Sequence, residues 1–163
     1  MKITNLFFVI VLIVTIVFAG CKKEPGPISV ENDLSPLSLN HGDYINWKIT
    51  VNNLGKGEAE IERIHCREEF ISGYFVGQYV ELDLPLSNNI IEGKATETIY
   101  SQSSSVINTS TTDAIVRNTI TVYSNGGNDT DETTYTIKPS NNKDGVSGEI
   151  QSCKLKIDDL KSN

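Results

Sequence analysis

Three cysteines, two histidines and a few clustered carboxylates are the side chains here whose types and spacing bear on chemistry. His65 and Cys66 are adjacent, which invites a thiol–imidazole pair. On a strand, however, successive side chains point to opposite faces, so these neighbours cannot share a proton. Neither Cys66 nor Cys153 has a Cys-x-x-Cys partner or the spaced histidines of a zinc site. Glu68-Glu69 and Asp158-Asp159 are adjacent carboxylate pairs of the kind that stays solvated. "NGGNDTDE" gathers hard oxygen donors at Asn128, Asp129, Asp131 and Glu132 and raises the question of calcium, but it lacks the ligand spacing of an EF-hand and reads more simply as a hairpin tip. No Gly-x-Ser-x-Gly elbow, phosphate loop or His-Glu-x-x-His run occurs. The expectation is no catalytic residue, no metal and no cofactor.

The elements that would position these residues are strands. In "DYINWKITVNN", Ile45, Trp47, Ile49 and Val51 alternate with Asn46, Lys48 and Thr50, the period of two of a half-buried strand with Trp47 among the core residues. "NNLGKGEA" follows as a turn. Ala59 to Phe70 is open to two readings: it holds good helix formers, yet its only helically spaced apolar pair is Ile61 and Ile64, so strand is preferred. As a regular strand it puts Ala59, Ile61, Arg63 and His65 on one face and Glu60, Glu62, Ile64 and Cys66 on the other. "YFVGQYVELDL" continues the alternation, with Tyr74, Val76, Gln78 and Val80 on one side, and ends at Pro85.

Further on, "IIEGKATETIYSQ" is a short β-prone segment, and "SQSSSVINTSTTD" reads as an exposed connection or a weak edge strand. Ala114 to Pro139 reads as a hairpin: Val116, Asn118, Ile120 and Val122 alternate in its first arm, Tyr135 and Ile137 lie in its second, and "SNGGND" supplies the turn. "IQSCKLKID", with Cys153, Leu155 and Ile157 in phase, predicts a last strand beside the one that bears Cys66. Many short strands rich in Thr, Val, Ile and Tyr predict an all-β chain, a single antiparallel β-sandwich of about seven to nine strands.

At 163 residues the chain suits one domain. Its net charge of −7 and scattered basic residues offer no stripe to neutralise a phosphate backbone, which argues against nucleic acid as a partner. An acidic surface is also repelled by anionic lipid, so membrane attachment needs a hydrophobic device.

The N-terminus provides one. Lys2 precedes the apolar run Leu6 to Phe18, which has the length of a signal-peptide core and is short for a membrane-spanning helix. Phe18-Ala19-Gly20-Cys21 resembles the bacterial lipobox, with Phe18 where that family usually has Leu. The resemblance implies removal of residues 1–20 and lipidation of Cys21; the alternative is an uncleaved N-terminal anchor, and both place the folded part outside the cytoplasmic membrane. Lys22 after the cysteine resembles lipoproteins sent on to an outer membrane or cell surface rather than kept at the inner membrane. Residues 21–27 (CKKEPGP) then read as a lipidated tether, 28–158 as the sandwich and 159–163 as a tail. With Cys21 acylated, Cys66 and Cys153 remain as one possible pair in an oxidising compartment, and a disulfide between them is expected, with two buried thiols as the alternative.

"HGDYINWKITVNNLGKGEAEI" and, later, "TITVYSNGGNDTDETTYTI" resemble strand–turn units of CARDB-type and related bacterial Ig-like domains. The resemblance implies an extracytoplasmic Ig-like sandwich associated with adhesion or cell-surface assemblies, and brings no catalytic residue with it. Two functions follow as expectations: a lipid-anchored Ig-like binding or adhesion module with a protein or glycan ligand, or a structural or accessory lipoprotein of an envelope assembly.

Overall fold

The computed structural model describes residues 23–140. Within them the chain is all-β: β1 (Ile28–Ser35), β2 (Ser38–Leu39), β3 (Tyr44–Asn53), β4 (Ala59–Ser72), β5 (Tyr79–Leu84), β6 (Ile90–Ile91), β7 (Thr96–Ser105), β8 (Ala114–Ser124) and β9 (Gly127–Ile137). They form two sheets, β1-β3-β7 and β2-β9-β8-β4-β5, with β6 pairing β4 beside the second. The first order matches strands A-B-E of an immunoglobulin sandwich, and the run β9-β8-β4-β5 matches G-F-C-C′. Every pairing is antiparallel except the short parallel contact of β2 with β9. The chain reaches that contact by leaving β1 at the cis Ser35–Pro36 peptide and crossing to the other sheet.

Alternation builds the core as the sequence predicts for β3 and β8. Ile45, Trp47, Ile49 and Val51 point inward from β3, and Val116, Asn118, Ile120 and Val122 do so from β8. Trp47 is buried, and its indole N–H donates to Ser104 Oγ at 3.1 Å. Each large aliphatic side chain buried in this way contributes about 1.5–3 kcal/mol.

The 59–70 segment is strand, but not a regular one. The register of β4 against β8 shifts between Ile61 and Arg63, so Glu62 is an extra residue and the inward phase changes there. Ala59 and Ile61 are buried before the bulge, and Ile64, Cys66, Glu68 and Phe70 after it. The expected grouping of Ala59, Ile61, Arg63 and His65 on one face is therefore corrected. So is the expected solvation of Glu68, which is fully buried. A further shift, between β3 and β7, makes Ile99 the extra residue and lets both Ile99 and Tyr100 turn inward.

Two other expectations change. Tyr74 to Gly77 form a turn, and β5 begins only at Tyr79. "SQSSS" is the second half of an edge strand, after which Val106, Asn108 and Ser110 are buried rather than exposed.

Candidate functional site

The strand directions sort the loops into two poles. Ile28 pairs with Asn53, and Asn125 exchanges two hydrogen bonds with Glu60, so the start of β1, the β3–β4 loop and the β8–β9 tip share the pole where the N-terminal segment enters. Tyr44 pairs with Ser105, Ser72 with Ile115 and Ala114 with Ile137, so the β4–β5 turn, the β7–β8 loop and the end of β9 share the other. The ten residues of β3 run between the poles, a span of about 30 Å at ~3.3 Å per residue.

At the far pole the sequence "SGYFVGQY" folds into a tight projection. Gly73 and Gly77 take positive φ, +97° and +86°, a conformation that glycine adopts at no steric cost. Phe75 turns inward and packs on Phe70, ring centroids 5.4 Å apart, while Gly77 N–H donates to the Phe70 carbonyl at 2.8 Å and Phe70 N–H to the Gln78 carbonyl at 2.9 Å. With Phe75 as an anchor, Tyr74 and Val76 are forced outward, 68% and 64% exposed, and Tyr79 beside them is 54% exposed. Tyr74 stands edge-on to Phe75 at 5.0 Å, and the Arg67 guanidinium lies 4.1 Å from the centre of the Tyr79 ring. Tyr44, also at this pole, is 66% exposed. Nearby, Asn108 holds the β7–β8 loop through the Thr112 and Ile137 carbonyls, and its backbone N–H donates to His41 Nδ1. A cleft of about 390 Å³ opens there among Asn40, His41, Asp113 and Lys138.

The outer face of β4 and β5 carries a ladder of charges. Arg67 bonds Glu81 at 2.6 Å and Glu69 at 3.4 Å, and His65 Nδ1 lies 3.1 Å from Asp83. The hydrogen bond to Glu81, with the nearby carboxylate charges, lifts the Arg67 guanidinium above its ordinary pKa. His65 faces this ladder while Cys66 points into the core, so the two side chains lie on opposite faces of the sheet.

The residues of the "NGGNDTDE" stretch also divide. Asn128 and Glu132 sit on the outer face of β9, and Asp129 and Asp131 on the inner. There Asp129 accepts from Val30 N–H and Asp131 from Asn32 N–H, both at 2.8 Å, and Thr133 Oγ1 donates to the Asn32 carbonyl. These side chains close the edge of β1 that β3 leaves open. Among the described residues no three His, Cys, Asp or Glu side chains gather as metal ligands would.

Cys66 is flanked in register by Leu82 on one side and Ile120 on the other, so no further strand can pair beside it. Its sulfur lies 3.5 Å from Asn118 Nδ2. Cys21 and Cys153, and the strand expected around Cys153, lie outside the described residues. Sequence reasoning placed Asn118 on the inward row of β8 but missed the burial of Asn32 and Glu68 and the linking of both, with Tyr135, to Asn118. Counting in twos from Ile64 and Cys66 reaches Glu68, but it is the bulge at Glu62 that turns this face inward together with Ala59 and Ile61.

No family model and no curated protein matches the chain. Solved structures that resemble it include the sporulation control protein Spo0M of Bacillus subtilis, 12% identical over 71% of this chain with a TM-score of 0.49. They also include the alkylpurine DNA glycosylase AlkC of Pseudomonas fluorescens, 13% identical over 69% with a TM-score of 0.48, and a β-glucosidase of Listeria innocua, 13% identical over 69% with a TM-score of 0.45. The matches span 51%, 31% and 16% of those proteins, respectively, and none bears on activity.

Proposed function

We propose that the chain is a bacterial envelope lipoprotein, acylated at Cys21, whose Ig-like sandwich presents a binding surface for a protein or glycan at the pole away from the membrane. The observation that carries this reading is the β4–β5 turn. An anchored Phe75 holds Tyr74 and Val76 in solvent next to Tyr79, at the opposite pole from the entering N-terminal segment. Rigid exposed tyrosines give contact area at low entropic cost and are enriched in binding surfaces. The lipobox resemblance and the CARDB-like strand–turn units support the same assignment to the cell envelope.

The test is on intact cells. Protease added outside should cleave the sandwich from an outward-facing lipoprotein, and wild-type protein should bind host or neighbouring cells, or an arrayed glycan, more strongly than a Tyr74→Ser, Val76→Ser variant. Full protection from protease, with equal binding by both proteins, would instead favour an accessory role inside the envelope.

A further inference from the structure

The segment that leads to β1 is packed against the sandwich. Leu54 N–H donates to the Pro27 carbonyl at 2.9 Å, and the Gly26 and Gly55 backbones approach so closely that a methyl group on either would collide with the other. A β-carbon on Gly57 would strike the Lys23 carbonyl, and one on Gly126 the Gly26 carbonyl. The β3–β4 loop and the β8–β9 tip thus grip residues 23–27 from two sides. Pro25 and Pro27, with φ already fixed, lose little freedom on being held there.

We propose that this docked tether fixes the orientation of the domain, setting the pole of Leu54, Lys56, Ile90 and Lys94 against the lipid surface that carries the anchor. The inference rests on the acylation of Cys21 proposed above. Cys21 precedes Lys23 by two residues, at most about 7 Å of extended chain, so the acyl chains hold the gripped segment within that distance of the headgroups. A loose tether of the same length would let the sandwich roll onto any face. A gripped one presents a single pole, where Leu54 is 44% and Ile90 47% exposed and Lys94 Nζ bonds the Leu54 carbonyl in the same group of loops. Lys56 stands there with Glu58, Glu60 and Glu92, a mixed charge that suits the pole to a zwitterionic headgroup layer, whose phosphate meets the lysine and whose choline meets the carboxylates. The Tyr74 turn is then held about 30 Å above the membrane.

The test uses the full acylated protein in phosphatidylcholine vesicles that contain a nitroxide-headgroup lipid. A fluorophore is attached through an azide-bearing residue at position 90 or at position 76. Quenching should be several-fold stronger at 90 than at 76. Gly57→Leu, which expels Lys23, should reduce that contrast, and so should a flexible Gly-Ser insertion of about ten residues after Lys22, which leaves the sandwich untouched. Equal quenching at both positions in the acylated wild type, or a contrast that survives the insertion, would overturn the fixed orientation. The mass of the N-terminal peptide from the same sample separates the two ideas, because a peptide without lipid overturns the acylation itself.

Discussion

Burying Glu68 between two sheets takes a carboxyl out of water, and the fold offsets the cost with hydrogen bonds. Tyr135 donates its hydroxyl to Glu68 Oε1 at 2.6 Å, Asn118 Nδ2 lies 3.5 Å from the same oxygen, and Asn32 donates to Asn118 Oδ1 at 2.7 Å. Residues of β1, β4, β8 and β9 are joined in this way across the core. Losing a hydrogen bond to a buried acceptor costs about 1–3 kcal/mol, so Tyr135→Phe should lower the unfolding free energy by that amount with little change in denaturant slope. An unchanged midpoint would mean that the hydroxyl contributes nothing. Cys66 is the other residue whose setting constrains it. With both lateral neighbours in place, a bridge to Cys153 has to enter the core from the side of the three-stranded sheet. The proposed disulfide predicts a lower melting temperature in reductant; two thiols titratable in denaturant without reductant would exclude it.

Among the elements, β1 and β4 show how strands meet irregular demands. β1 is an edge whose outward amides are held by side chains of β9 instead of by another strand. An uncovered edge is a template for unwanted pairing, and Asp129 and Asp131 remove it while keeping a charge there. Replacing both with Ala should cost roughly 1–3 kcal/mol and speed hydrogen exchange at Val30 and Asn32 ahead of the amides of β3. Exchange rising equally throughout the sheet would show that the capping bonds are not local. In β4, the bulge at Glu62 brings both Ile61 and Ile64 into the core, which a regular strand cannot do. The same spacing made the segment look partly helical in sequence. The β4–β5 turn depends on Gly73, where a β-carbon would meet the Asp113 carbonyl at 2.6 Å and the backbone has positive φ. Gly73→Val should destabilise the domain by more than the ~1 kcal/mol usual for an unfavourable backbone state.

For the whole molecule, the division into poles separates attachment from display. Tyr74 and Val76 make few contacts that folding requires, so their replacement by Ser should shift stability by no more than about 0.5 kcal/mol. The same change should weaken binding at the far pole, with unfolding curves and cell-binding assays made on one preparation. A large loss of stability would mean that the turn serves the fold and not a ligand.

The sequence by itself determined the β class, the inward faces of β3 and β8, the burial of Trp47 and the Ser124–Gly127 hairpin. Period-two alternation and turn chemistry act within a few residues, and the core rewards them directly. The strand–helix ambiguity at 59–70, the burial of Glu68 and the roles of Asp129 and Asp131 were decided by tertiary structure. A bulge changes phase without leaving a residue type that marks it, and a carboxylate is stable inside or at an edge only when its partners arrive from strands distant in sequence: Tyr135 for Glu68, Val30 for Asp129 and Asn32 for Asp131. Pole assignment has the same origin, because it depends on which strand ends are brought together in space, and no local run of residues encodes that.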